Sequence, residues 1–484
     1  MNTNRIWIAC CFSLFLALAL MLAQHWGMTF SNSDDPWIAQ LGLQGSIDTA
    51  KAQGRFWLVP INIIAQIPYL LDSWVFANSI KIVVNGITLL SFILFCAKLT
   101  NKQTGLLMGL VWLALIDINS SDFSPIHGYL LMFNLQLGFL FLSFYMYLAR
   151  LEKNDAQPIV TPYLLFAFSL LAYEPMFFYS MVFPALYLYK QITVQNAGIK
   201  FNLFTQAKKF LSQNIALVVV LALYILLYFG FRKYYATGTR GLDAEGNPYE
   251  VIKTIFGFSV HGFHLQLKSL TTSVLELYAP LDIFLAVFFA GSILFGMFLI
   301  IPRIEENLTP SDLYRKKSIV ILGFFIFSPN ILFGFVDGYR KWAAHDPHYV
   351  GNYLSSFPLA MAVTLAVLYL VGGNKSKHEK VLFLLILYVF FSSACDNYLR
   401  WEKLAESNRK GSALWQKAIQ QLSQRSFDTH RQTLICGNNT PEHVAGDNKY
   451  WSQYLSKKFS ANIQYSSNRV SMTACDVILD LKAN

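Results

Sequence analysis

Long apolar runs separated by short polar segments restrict the fold of this 484-residue chain more than any other feature. A helix that crosses a hydrocarbon core of roughly 30 Å needs about 20 mostly apolar residues. Eleven stretches approach this length, at residues 6–24, 76–97, 104–118, 128–149, 160–173, 176–190, 213–231, 281–301, 318–336, 354–371 and 380–395. The composition agrees, since 55% of residues are hydrophobic and only 14% are charged. We therefore predict an all-α polytopic membrane protein with about eleven transmembrane helices.

The net charge of +10 arises mainly from basic clusters between the apolar runs. Cytoplasmic loops of membrane proteins are enriched in Lys and Arg. With a cytoplasmic N-terminus and a retained first span, one side receives Lys98 and Lys102, Arg150 and Lys153, Lys190 to Lys209, Arg303 to Lys317, and Lys375 to Lys380. We interpret the charge as membrane topology and predict no nucleic-acid partner. An odd number of spans then places the first loop and the C-terminal tail on the outer face.

The chain divides into a predicted transmembrane domain, residues 1–395, and a small extracytoplasmic α/β domain, residues 396–484. Within the first domain, residues 25–75 form an outer loop whose glycines and prolines favour short interfacial helices over one span. The tail has helical periodicity and two strand-like runs. It also contains Cys436 and Cys475, which we expect to form a disulfide in an oxidising compartment.

Adjacent carboxylates, Asp34 and Asp35, follow the first apolar run. Like charges this close disfavour each other's ionisation, and both lose hydration near lipid, so the pair is costly. Asp35 precedes Pro36, and an Asp N-cap followed by Pro is a common helix start, here for a helix over Trp37–Leu43. Capping therefore explains Asp35 as well as chemistry does. Asp34 is the stronger candidate for a general base or a cation ligand.

Other polar residues of the predicted outer face are candidates for the same site. Arg55 suits bidentate binding of a phosphate, or it is the partner of an acid. Glu174 is an acid at membrane depth and a functional candidate by default, with a buried ion pair to an arginine as the alternative. Arg232 and Lys233 suit a phosphate, with lipid headgroups as the alternative. The remaining substrate-binding candidates are His127, Tyr339, Arg340, Lys341, His345 and His348.

Four short motifs carry a resemblance to a known class: Ser33-Asp34-Asp35, Gly54-Arg55-Phe56, Tyr173-Glu174-Pro175, and Ala418-Ile419 running into Leu434-Ile435-Cys436-Gly437. With the order of loop, spans and tail, they resemble the GT-C class of polyprenyl-phosphate-sugar glycosyltransferases. Within that class the chain is similar to phage-type O-antigen serotype-converting glucosyltransferases. The resemblance implies that Asp34 is the base. Asp35 and Glu174 are the other catalytic candidates, on the grounds given above. The second acid of the class is often Glu, whereas this chain has Asp35.

The resemblance further implies inverting transfer of a sugar, with glucose as the first choice, from undecaprenyl-phosphate-sugar to a lipid-linked O-antigen or related surface glycan. The reaction would take place at the periplasmic face of the bacterial inner membrane. A divalent cation stays open, but His261 and His264 lack a third ligand, and we predict no metal site. An O-antigen polymerase or ligase would use similar chemistry. A flippase or transporter would couple ions through acids inside the spans, whereas these acids lie in loops.

Overall fold

A computed structural model describes residues 3–24, 26–28, 35–71, 73–116, 130–152, 160–171, 174–194, 203–235, 247–260, 263, 278–307, 322–323, 325–336, 339–341, 350–371, 377–429, 431–438, 448–466 and 475–480. The helices are α1 (Thr3–Ala23), α2 (Asp35–Gln40), α3 (Gly42–Gln53), α4 (Leu58–Ala65), α5 (Trp74–Leu99), α6 (Lys102–Leu115), α7 (Leu130–Glu152), α8 (Thr161–Leu170), α9 (Val182–Val194), α10 (Leu203–Gln213), α11 (Ile215–Tyr235), α12 (Pro248–Val260), α13 (Pro280–Asn307), α14 (Ile331–Gly334), α15 (Val350–Val371), α16 (Lys377–Ser423) and α17 (Asn448–Phe459). Short 3-10 helices cover Ile67–Tyr69, Glu174–Met181 and Ser328–Asn330. The strands are β1 (Thr433–Asn438), β2 (Ile463–Ser466) and β3 (Val477–Asp480).

Seven helices in the described part of the chain are long and apolar enough to cross a membrane: α1, α5, α7, α11, α13, α15 and α16. They confirm an all-α membrane protein, and each coincides with a predicted apolar run. The other four predicted runs correspond to shorter helical segments. These are α6, α8, the 3-10 helix Glu174–Met181 with α9, and the stretch Phe325–Gly334. Hydropathy predicted their apolar character but not where each helix ends.

The short helix α6 lies at the centre of the transmembrane domain, and its residues from Thr104 to Leu115 are all buried. It is about 21 Å long at 1.5 Å per residue. A Cβ added at Gly105 would lie 2.6 Å from the backbone nitrogen of Ala97, and one at Gly109 would lie 2.6 Å from Ile93 Cδ1. Glycines spaced four apart therefore allow α6 to approach α5 closely.

The first loop folds into the short helices α2, α3 and α4. Gly42 and Gly54 have φ angles of 63° and 65°, a left-handed conformation that side chains disfavour. Because Gly42 redirects the chain, α2 covers Asp35–Gln40 and not the predicted Trp37–Leu43. Helix α3 is the longest of the three at 12 residues, which is too short to span the hydrocarbon core.

The two ends of the helix bundle carry different polar contacts. At one end, Lys98 of α5 pairs with Glu152 of α7, and Lys190 of α9 lies 3.9 Å from the same carboxylate. At the other end, Gln24 after α1 donates a hydrogen bond of 3.3 Å to the carbonyl of Tyr398 in α16. Helix α2 also packs against α17 of the tail. The first loop and the tail therefore lie at the same end of the bundle, opposite the cluster around Lys98.

Helix α16 is continuous over 47 residues. The domain boundary predicted at residues 395/396 lies inside it. Apolar side chains up to Trp401 belong to the core of the transmembrane domain, whereas those from Leu414 onward belong to the core of the tail. The tail is therefore joined to the last long helix without an intervening loop.

The tail is an α/β unit in which a parallel sheet of order β2-β1-β3 packs with the end of α16 and with α17. Trp415 of α16 stacks on Trp451 of α17, and Ile435 of β1 is fully buried in the same core. Strands β1 and β3 correspond to the two predicted strand-like runs. Strand β2 was not predicted, because four residues are too few for a clear alternating pattern.

Cys436 and Cys475 form a disulfide with a Cα–Cα distance of 5.9 Å. It joins positions 39 residues apart, so we expect Cys436→Ser with Cys475→Ser to destabilise the tail by roughly 3–4 kcal/mol, from the added entropy of the unfolded chain. Limited proteolysis of the tail in the purified full-length protein measures the effect. Cys11→Ser is the control, because Cys11 is a free, partly buried cysteine. Free thiols at both tail positions in a non-reducing peptide map would contradict the bond.

Candidate functional site

The candidate site centres on an ion pair between Arg55 and Glu174. Arg55 Nε lies 2.9 Å from Glu174 Oε1, and 15% and 9% of the two side chains are exposed. Gly54 ends α3 in a left-handed backbone conformation, and this turn directs Arg55 toward Glu174. The backbone N–H of Gly54 donates to the carbonyls of Ala50 and Lys51. The Arg55 N–H then donates to the Ala50 carbonyl at 2.9 Å. Glu174 is the first residue of the 3-10 helix that follows α8.

Three further side chains lie around this pair. The Arg55 guanidinium donates a hydrogen bond to the hydroxyl of Tyr339. The Trp57 ring centroid lies 5.6 Å from Arg55 Cζ. Arg232, in the last turn of α11, lies close enough to favour negative charge on Glu174. The site therefore has one guanidinium bonded to the carboxylate and a second, hydrogen-bonded to the Tyr228 hydroxyl at 2.9 Å, within electrostatic range of it.

Glu174 lies outside the seven long helices, and its charge depends on its neighbours. Burial raises the pKa of the Glu174 carboxyl above its usual value, whereas Arg55 and Arg232 oppose the shift. The carboxylate and the Arg55 guanidinium therefore stabilise each other's charged form. Loss of Arg55 would favour the protonated form of Glu174.

Aromatic contacts hold the first loop against the end of α11. The Phe56 ring centroid lies 5.6 Å from that of Tyr224 and 6.4 Å from that of Phe231. Lys51 Nζ lies 5.5 Å from the centroid of the Tyr235 ring. Such contacts contribute about 0.5–1.5 kcal/mol each. They position the last turn of α11, with its basic residues, beside the ion pair.

Four predicted site residues meet in the structure: Arg55, Glu174, Arg232 and Tyr339. Arg340 instead donates to the carbonyl of Gly334 at 3.2 Å, and Lys233 and Lys341 are exposed at the surface. For Asp35 only the backbone is described. The following predicted site residues lie outside the described residues: Asp34, His127, His345 and His348.

The described residues contain no group of three His, Cys, Asp or Glu side chains that could hold a metal ion. His261 and His264, which the sequence analysis considered as ligands, lie outside the described part of the chain.

Lys81 of α5 is a buried cation that the sequence analysis missed. Only 4% of the residue is exposed, its Nζ donates to the carbonyl of Met28 at 3.4 Å, and it lies 6.0 Å from the Tyr69 ring centroid. Met28 is six residues before Asp34 in the sequence. A lysine inside an apolar run is a functional candidate by default, and this signal was present in residues 76–97.

The arrangement suits a phosphate-bearing ligand. Guanidinium groups bind phosphate in a bidentate manner, and a partly buried site strengthens such contacts. Because Glu174 is paired with Arg55, its carboxylate is better placed to orient a guanidinium than to accept a proton.

Comparison with known proteins assigns no family to the chain. No protein-family model matches it, and no curated protein is significantly similar to it.

Proposed function

We propose that the protein catalyses inverting transfer of a sugar, with glucose as the first choice, from undecaprenyl-phosphate-sugar to a lipid-linked O-antigen or related surface glycan. The observation that carries the proposal is the partly buried Arg55–Glu174 pair with Arg232 beside it. This cationic site lies at the end of the bundle that bears the first loop. A polyprenyl-phosphate donor requires a phosphate site next to apolar helix surfaces, and α11 exposes large hydrophobic side chains along most of its length.

In the proposed mechanism, Asp34 accepts the proton of the acceptor hydroxyl as the hydroxyl oxygen attacks the anomeric carbon. The bond between that carbon and the phosphate oxygen breaks on the opposite face, which inverts the configuration and releases undecaprenyl phosphate. A positioned base contributes about 10²–10⁴-fold. Arg55 and Arg232 stabilise the negative charge that develops on the phosphate, and Glu174 orients Arg55.

Transfer is tested with the purified protein in liposomes that contain labelled undecaprenyl-phosphate-glucose and surface glycan from cells that lack the chain. We expect one sugar to be added per acceptor unit, with inversion seen by NMR of the product. Transfer of whole repeat units would indicate a polymerase or ligase instead. Movement of the donor across the bilayer without a new glycosidic bond would indicate a transporter.

The proposal places the tail in the periplasm and the basic clusters in the cytoplasm of a bacterial cell. A reporter that is active only in the periplasm should therefore be active when fused after Asn484 and silent when fused after Lys317, because basic loops are retained inside. A reporter that is active only in the cytoplasm, fused at the same sites, serves as the control and should give the reverse pattern. Periplasmic activity at Lys317 with none at Asn484 would contradict this orientation.

A further inference from the structure

A groove of about 610 Å³ lies between the first loop and the tail, and neither Arg55 nor Glu174 lines it. One wall comes from α2, the 3-10 helix Ile67–Tyr69 and the start of α5. The other wall comes from the end of α16 and from α17. The volume falls within the range of about 300–1,000 Å³ that is typical of ligand sites, which often lie where domains meet.

Helix α16 has a polar face that lines this groove. Gln416, Gln420 and Ser423 line it, at spacings of four and three residues, and all three are exposed. Residues on one helix face recur at this spacing. Trp415 and Leu422, on another face of the same helix, are buried in the tail core. The glutamine face therefore lies outside the tail core and lines the groove.

Contacts of Gln40, the last residue of α2, hold the tail beside the first loop. Its side-chain amide donates to Gln453 Oε1 at 3.1 Å, and its carbonyl accepts a hydrogen bond from Lys457. Helix α2 begins at Asp35, five residues earlier, which corresponds to about 7.5 Å along the helix axis. One edge of the groove is thus connected by a single short helix to the backbone of Asp35.

The groove lining has the chemistry that recognises a glycan. Amide side chains donate and accept hydrogen bonds at once, as sugar hydroxyls do. Tyr69 and Tyr454 add aromatic rings with polar hydroxyls to the lining, and each ring lies 6.0 Å from a lysine Nζ, of Lys81 and Lys458 respectively. Of the two lysines in the lining, Lys457 is bonded to the Gln40 carbonyl. The lining therefore combines amides, aromatic rings and two lysines, which suits an oligosaccharide, including one that bears acidic groups.

We infer that this groove binds the acceptor oligosaccharide, beside the short helix α2 of the first loop. The inference rests on the proposed function for the identity of the ligand as an acceptor. The groove itself is a separate site, and its binding can be measured without turnover.

The probe is the oligosaccharide released by mild acid from the surface glycan of cells that lack the chain. It is titrated into the purified full-length protein by calorimetry. We expect the double variant Gln416→Ala with Gln420→Ala to raise the Kd at least about tenfold, because each lost hydrogen bond weakens binding severalfold. The matched control is Gln421→Ala with Gln424→Ala, since both glutamines are exposed and neither lines the groove. Limited proteolysis of the tail, at the wild-type rate, verifies that the tail of each variant is folded.

A wild-type Kd in the groove variant, or an equal loss in the control, would overturn the inference. If the groove variant instead lost binding to phosphatidylglycerol vesicles and kept the oligosaccharide, the groove would be a lipid-contact surface, which also overturns it. Sugar transfer is measured separately. If the wild-type protein transfers sugar but the groove variant binds the oligosaccharide normally, the proposed function stands and the groove inference fails. If binding depends on the groove but no sugar transfer is detected, the groove inference stands and the proposed function fails.

Discussion

Replacing Asp34 with Asn is expected to lower sugar transfer by at least about 10²-fold with expression unchanged. The amide keeps the size of the side chain and most of its hydrogen bonding, but it no longer accepts the proton of the acceptor hydroxyl. Initial rates in membranes, with labelled undecaprenyl-phosphate-glucose and acceptor glycan, measure the change. Donor binding should stay within a few-fold of wild type, because the phosphate contacts come from other residues in the proposed mechanism.

Asp35→Asn is the matched control, since the two carboxylates are adjacent in the sequence. Asp35 is the first residue of α2, so if its role is to help start that helix, its replacement costs about 1 kcal/mol of local stability and leaves turnover largely intact. Turnover at the wild-type rate by Asp34→Asn would remove Asp34 from the mechanism. Glu174 would then become the preferred acid.

The long helices were predictable because a span of about 20 apolar residues is a property of composition alone. Helix ends inside the apolar runs were not, because they depend on local geometry. In the first loop, the left-handed Gly42 at the start of α3 is one such feature. The continuity of α16 is another. Polar residues after position 395 indicate that the chain leaves the apolar core. A helix nevertheless continues as long as its backbone groups are hydrogen-bonded and one of its faces packs against other elements.

Arg55, Glu174, Arg232 and Tyr339 were predicted as site residues, but the ion pair between Arg55 and Glu174 was only one of the alternatives. The predicted topology placed Arg55 and Glu174 on one face, but they are far apart in the sequence, and the sequence alone left both a phosphate and an acid as partners of Arg55. Their distance of 2.9 Å selects the ion pair as the resting arrangement. Lys81 was missed because the apolar residues around it keep the mean hydropathy of residues 76–97 high despite one lysine.

Breaking the central ion pair is the second large effect that we expect. Glu174→Gln leaves the Arg55 guanidinium partly buried without its carboxylate, which costs about 3–5 kcal/mol for a buried pair. The midpoint of thermal unfolding, followed by tryptophan fluorescence, should fall, and sugar transfer should fall with it. The control is Glu152→Gln at the opposite end of the bundle, where the Glu152 side chain is 40% exposed. An exposed pair of this kind contributes at most about 1 kcal/mol.

A double variant separates a structural role of the pair from a role in binding phosphate. Replacing Arg55 and Glu174 together with Met removes both charges at similar volume, so stability should recover toward that of the wild type. If the pair were only structural, transfer would recover as well. In the proposed mechanism Arg55 contacts the departing phosphate, and one lost electrostatic contact of this kind costs about 10²–10³-fold in turnover. We therefore expect a stable double variant whose transfer stays at least about 10²-fold below wild type, and recovery of transfer would assign the pair to folding alone.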